Sequence, residues 1–170
     1  RKDRPTRFVY YQGDSVGLPE QTREYFRQRN ETLKASGKPG LEYDVFDASG
    51  FKSEEELIAH MKTHAAEADV IVIGGHGNPF LQVLSEEHDV NFTGRVAGQL
   101  DLRGKTLFLD GCTTGGCVWD QEFVNPNGPN QRLVGKRIGA NQRLLDQSLD
   151  SGADHVVGTT RTISNSHNEG

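Results

Sequence analysis

Apolar residues along this chain gather in short runs, and the longer stretches between them are polar with helical spacing. The run Arg7–Gln12 (RFVYYQ) is aromatic and β-branched and stops at Gly13-Asp14, which predicts a first strand. After Pro19, the stretch from Glu20 to Ala35 reads as an amphipathic helix closed by Gly37. Leu41–Phe46 alternates apolar and acidic residues and predicts a second strand. Ser53 followed by Glu56 is a capping-box signature for a helix reaching about Ala66. Asp69–Gly74 is apolar enough to be buried on both faces, as strands of a parallel sheet are.

Beyond Gly74 the pattern weakens. Phe80–Leu84 and Val90–Phe92 predict a small hairpin, Val96–Leu100 a short helix, and Lys105–Leu109 a fourth strand. Trp119–Lys136 contains Asn125-Pro126-Asn127-Gly128-Pro129-Asn130 and reads as a loop over the edge of the sheet. Ile138–Leu149 carries Leu144, Leu145 and Leu149 at helical spacing, Ser151-Gly152 ends it, and His155–Thr159 is a fifth strand. Strands alternating with helices predict an α/β fold: a three-layer α/β/α sandwich around a mainly parallel sheet.

Composition narrows this picture. The length of 170 residues fits one domain, residues 1–170, able to bury a core without disulfide or metal staples. A formal charge of −5 argues against a general nucleic-acid or anionic-membrane surface. No run approaches the roughly 18 apolar residues that span a bilayer. The opening at Arg1 fits a domain excised from a longer chain, and the compartment stays open between a secreted toxin or effector and the cytoplasm. Cys112 and Cys117 exclude a disulfide framework, and C-x4-C without a second pair is no zinc pattern, so neither metal nor cofactor is expected.

Two strands end in reactive side chains. Val70-Ile71-Val72-Ile73-Gly74-Gly75 runs into His76-Gly77, and Leu107-Phe108-Leu109-Asp110-Gly111 runs into Cys112. Ligands bind beyond the carboxyl ends of parallel strands, so two such strands side by side would bring imidazole and thiol to one cleft. A thiol attacks as thiolate, which His76 can promote. Backbone N–H groups at Gly77 and Cys112, with small neighbours on either side, could hold an oxyanion. The minimal chemistry is acyl transfer by a dyad, with Cys112 attacking a peptide carbonyl and His76 protonating the leaving amine.

An apolar strand ending in His-Gly, then a second ending in Asp-Gly-Cys, resembles the two-block signature of the caspase-like (clan CD) cysteine peptidases. Leu144–Thr160 is similar to the helix, Gly-Ala turn and strand that follow the Cys in the CHAT subgroup. Ile163–Gly170 is similar to the stretch leading into the flap of bacterial toxin self-processing domains. The likeness covers about residues 69–170; before that only the β-α-β-α order agrees. It implies a caspase-like sandwich and a cysteine endopeptidase acting on a protein or peptide substrate, its own parent chain or a dedicated partner included. The sequence stops before the basic flap that binds inositol hexakisphosphate in the toxin domains, so activation by that ligand is not carried over.

The resemblance gives two opposed expectations for the residue before the scissile bond, P1. The acidic residue at the place of Asp110 helps form a pocket for a basic P1 side chain in metacaspases and legumains. Arg161 follows the last strand where caspases place an arginine that receives an acidic P1. Thr160 would stand in the pocket wall. A pairing of Asp110 with Arg161 would cancel both preferences, and Asp110 can also be read as a loop cap.

Other readings compete. A glutamine-amidotransferase-like hydrolase would take His155 or His167, after the Cys, and a G-x-C-x-G elbow that Gly111-Cys112-Thr113-Thr114-Gly115 does not supply. A caspase-like scaffold without turnover is the non-enzymatic alternative. His60 and His64 have i, i+4 ligand spacing but no further metal motif, and read as solvated helix residues. His88 reads as part of an exposed turn.

Overall fold

The computed structural model describes residues 4–78, 80–111, 122–123, 133–134 and 144–158. Five parallel strands form the main sheet: β1 (Thr6–Gln12), β2 (Leu41–Asp47), β3 (Val70–Gly74), β6 (Thr106–Asp110) and β9 (His155–Gly158), in the order β2-β1-β3-β6-β9. Helices α1 (Pro19–Ala35), α2 (Glu54–His64), α3 (Gly94–Gly98) and α4 (Leu144–Asp150) lie between them in sequence. The expected α/β sandwich with a mainly parallel sheet is therefore the fold. A hairpin of β4 (Leu81–Ser85) and β5 (Val90–Thr93) follows β3, at the two apolar segments that predicted it.

Strand alternation assigns the layers. Val9, Tyr11, Ile71, Ile73, Leu107 and Leu109 point to one face and join Leu57 and Met61 of α2, Phe92 of β5, Val96 of α3 and Leu144 of α4 in one buried core. Phe8 and Tyr10 point to the opposite face, where Phe26 of α1 packs on Phe8 at 5.4 Å and stacks on Tyr43 at 5.4 Å. Each helix starts and stops where its chemistry dictates. Pro19 opens α1. The helix ends in a Schellman turn, with Gly37 at φ 75° and Lys38 N–H donating to the Leu33 carbonyl. Ser53 caps α2 by accepting from Glu56 N–H, while the Glu56 carboxylate accepts from Lys52 N–H. Lys105, 9% exposed, continues the end of α2 by donating from Nζ to the Ala66 and Ala68 carbonyls.

Two expectations change in detail. The short helix is Gly94–Gly98, two residues earlier than its apolar pattern implied, because Thr93 Oγ1 accepts from Val96 N–H and starts it there. Within the stretch read as a loop, β7 (Glu122–Phe123) pairs with β8 (Leu133–Val134) in antiparallel register. Of the helix expected over Ile138–Leu149, residues 138–143 lie outside the described residues, and α4 carries the remainder to Asp150. Thr159 of the fifth strand is also outside them.

The strand order places the site. The chain runs from β1 outward to β2, then returns to β3 on the other side of β1 and continues to β6. Such a reversal leaves a crevice at the carboxyl ends of the central strands, which here are Gln12-Gly13, Gly74-Gly75 and Asp110-Gly111.

Candidate active site

The register β3 to β6 runs from Val70↔Thr106 to Gly74↔Asp110, so the two chemistry-bearing strands are immediate neighbours and end level with each other. Gly75 N–H donates to the Asp110 carbonyl at 3.3 Å, one rung past the strand pair. A Cβ on Gly111 would stand 2.6 Å from the Gly75 carbonyl oxygen and 2.8 Å from Gln82 Nε2. A Cβ on Gly75 would overlap the Val83 carbonyl. Backbone thus packs directly on backbone here, and only glycine fits.

His76 lies beyond Gly75 with its side chain exposed. Its backbone is gripped on both sides: His76 N–H donates to Ser15 Oγ at 3.0 Å, and its carbonyl accepts from Val83 N–H at 2.7 Å. Gly77, expected to serve the oxyanion, is bridged to Gln82 in antiparallel register. Asn78 Oδ1 accepts from Phe80 and Leu81 N–H and turns the chain into β4. The loop after β1 braces the same region, with Gly13 N–H on the Gly74 carbonyl, Asp14 N–H on the Leu84 carbonyl, and Asp14 Oδ2 accepting from Glu86 N–H.

Asp110 is 8% exposed. It shares the α1 face of the sheet with Tyr10, whose hydroxyl donates to Asp110 Oδ2 at 3.2 Å. Tyr10 is on β1 and Asp110 on β6, with β3 between them. The phenol spans β3 at Gly74, where a Cβ would overlap the Tyr10 hydroxyl. Burial pushes the Asp110 carboxyl above its ordinary value, and the Tyr10 hydrogen bond opposes that rise in part. The carboxylate is therefore held under the strand ends rather than open to solvent in this form.

Of the residues singled out by sequence, the structure brings His76, Gly77 and Asp110 to one edge of the sheet. Cys112, Thr160 and Arg161 lie outside the described residues, although Gly111, the neighbour of Cys112, is buried beside Gly75. Ser15, Tyr10 and Gln82 belong to the same edge and had no motif to mark them; for Ser15 the Gly-Asp-Ser turn at the carboxyl end of a strand was the available signal. Among the described residues no three His, Cys, Asp or Glu side chains gather as a metal site. No helix among them is long and apolar enough to cross a membrane.

His60 departs from the solvated reading, while His64 is exposed as expected. His60 is half-buried among Tyr11, Phe46 and Phe51, its Nδ1 is 2.9 Å from the Tyr11 hydroxyl, and His64 stacks on it at 4.1 Å. Aromatic partners from β1, β2 and the segment before α2 convert ligand spacing into core packing. His88 is half-buried in the β4–β5 turn, where its N–H donates to Ser85 Oγ.

No protein-family model matches the sequence, and no curated protein matches it.

Proposed function

We propose that the chain is a cysteine endopeptidase of caspase-like type that uses His76 and Cys112 as its dyad. The observation that supports this reading is the level ending of β3 and β6, with Gly75 against Gly111, so that the residues next in sequence on each strand are His76 and Cys112. In the proposed reaction the Cys112 thiolate attacks the peptide carbonyl carbon. The tetrahedral oxyanion is held by backbone N–H groups of Gly77 and Cys112. Collapse breaks the C–N bond as His76 gives its proton to the leaving amine, leaving a thioester. Water, deprotonated by His76, then releases the acid and restores the thiol.

Substrate choice at P1 rests on Asp110, which would have to turn from its bond with Tyr10 to meet a substrate, against Arg161, with Thr160 in the wall. The substrate is a protein or peptide, the parent chain among the candidates. Hydrolysis of a peptide library tests both levels of this reading. Wild type cleaves peptides, and Cys112→Ala and His76→Ala do not; a preference for Arg or Lys at P1 assigns the pocket to Asp110, and one for Asp assigns it to Arg161. Cleavage that survives Cys112→Ala overturns the dyad.

A further inference from the structure

We infer that Gln82 is a positioning residue that locks the His76 strand end against the Cys112 strand end; this rests on the peptidase reading above. Gln82 is fully buried, at 0% exposure. Its Nε2 donates to the Ile73 carbonyl at 2.6 Å and to the Gly75 carbonyl at 3.3 Å. Both neighbours are acceptors, so the NH2 group and not the oxygen must face them. Residues 73 and 75 share strand parity, and Gly75 N–H points to Asp110 on β6, so both carbonyls point toward β6. The carboxamide therefore adds donors at the end of the β3–β6 ladder, to Ile73, which pairs with Leu109, and to Gly75, one residue past the last pair. The same Nε2 stands 2.8 Å from where a Gly111 Cβ would be, which puts it in contact with the backbone preceding Cys112. Through its own backbone Gln82 pairs with Gly77.

The side chain thus touches the strand end before His76 and the residue before Cys112, and the backbone of the same residue holds Gly77 after His76. The Oε1 of Gln82 is buried and has no hydrogen-bond partner among the described residues, while its Nε2 satisfies two buried carbonyls that an apolar side chain of similar length would leave without this donor. What the carboxamide adds is fixed geometry between two backbones, and dyad chemistry is sensitive to displacements of about 1 Å, which can cost on the order of 100-fold in rate.

The test uses the full chain with Gln82→Met, similar in shape and apolar, and Gln82→Glu. Gln82→Met leaves the Ile73 and Gly75 carbonyls without this donor, so it is expected to stay folded with a loss of about 1–3 kcal/mol, to lose about tenfold or more in kcat, and to keep KM within about twofold. Amide exchange at His76, followed by NMR, is expected to accelerate in Gln82→Met by a larger factor than exchange at Leu57 in α2. Gln82→Glu places a carboxylate against two carbonyls at neutral pH and regains a donor only when protonated, so its kcat relative to wild type rises as pH falls. Wild-type kcat in Gln82→Met, or unchanged exchange at His76, overturns the inference. Absence of hydrolysis by wild type overturns the peptidase reading instead, and the exchange arm still decides whether Gln82 couples the strand ends.

Discussion

The Tyr10 hydroxyl donates to Asp110 Oδ2 at 3.2 Å across an intervening strand, over the Cα of Gly74. This cross-sheet bond ties β1 to the end of β6 and holds a buried carboxyl directly before Gly111 and Cys112. Tyr10→Phe removes the donor and leaves the acceptor buried. The expected cost is about 1–3 kcal/mol at neutral pH, read from urea unfolding. A cost below about 0.3 kcal/mol would mean that the bond does not form in solution.

Asp110→Asn keeps an acceptor for Tyr10 and removes a titrating group. The carboxyl of Asp110 is raised by burial, so its contribution favours folding below its unfolded value and is lost as pH rises through the folded one. Asp110→Asn should therefore melt higher than wild type at pH 7–8 and show no such gain at acid pH. Melting curves across that range check the sign, and equal gains at both ends would refute it.

His60 gives the opposite slope. Its imidazole is held below its ordinary 6.5 chiefly by burial and next by stacked His64, with Glu56 acting weakly the other way. Folding binds fewer protons at this site, so the contribution is whole above the ordinary 6.5 and is lost as pH falls from there through the lower folded value. The fall in melting temperature from pH 7.5 to pH 5 should shrink in His60→Gln, which can still accept from Tyr11. An unchanged fall would assign the acid sensitivity elsewhere.

The strands were legible in the sequence as short apolar runs, nearly continuous in the central β3 and alternating with acidic residues in β2, which lies at the sheet edge. The adjacency of β3 and β6, which the two chemistry-bearing runs required but did not fix, comes from the sheet order and register, and with it the common edge for His76 and Asp110. What the sequence hid were relationships carried by register and by side chains crossing between elements. Nothing local marks Tyr10 as the partner of Asp110, 100 residues away. Gln82 looked like an ordinary polar position in an alternating strand. His60 sat on a polar helix, and its burial came from aromatic residues of three other segments.

Glycine at the strand ends is required by backbone packing. Gly75→Ala would drive a methyl group into the Val83 carbonyl, with an expected cost of about 2–3 kcal/mol. Gly50→Ala meets nothing within 4 Å and should change stability by no more than about 0.5 kcal/mol. Denaturant unfolding of the two variants side by side distinguishes a steric requirement from a general loss of glycine flexibility, which would affect both alike.

Lys105 makes a separable contribution at the opposite end of the sheet. Lys105→Met leaves the Ala66 and Ala68 carbonyls without their donor and is expected to cost about 1–3 kcal/mol with kcat unchanged. A loss of kcat in folded Lys105→Met would show that this end communicates with the site.

The dyad is the central claim, and intact-mass analysis after treatment with a peptidyl electrophile tests it most directly. The account predicts a single adduct mapped to Cys112 in wild type, none in Cys112→Ala, and strongly slowed formation in His76→Ala although all three proteins are folded. An adduct on Cys117, or one forming on Cys112 at the same rate without His76, would contradict it.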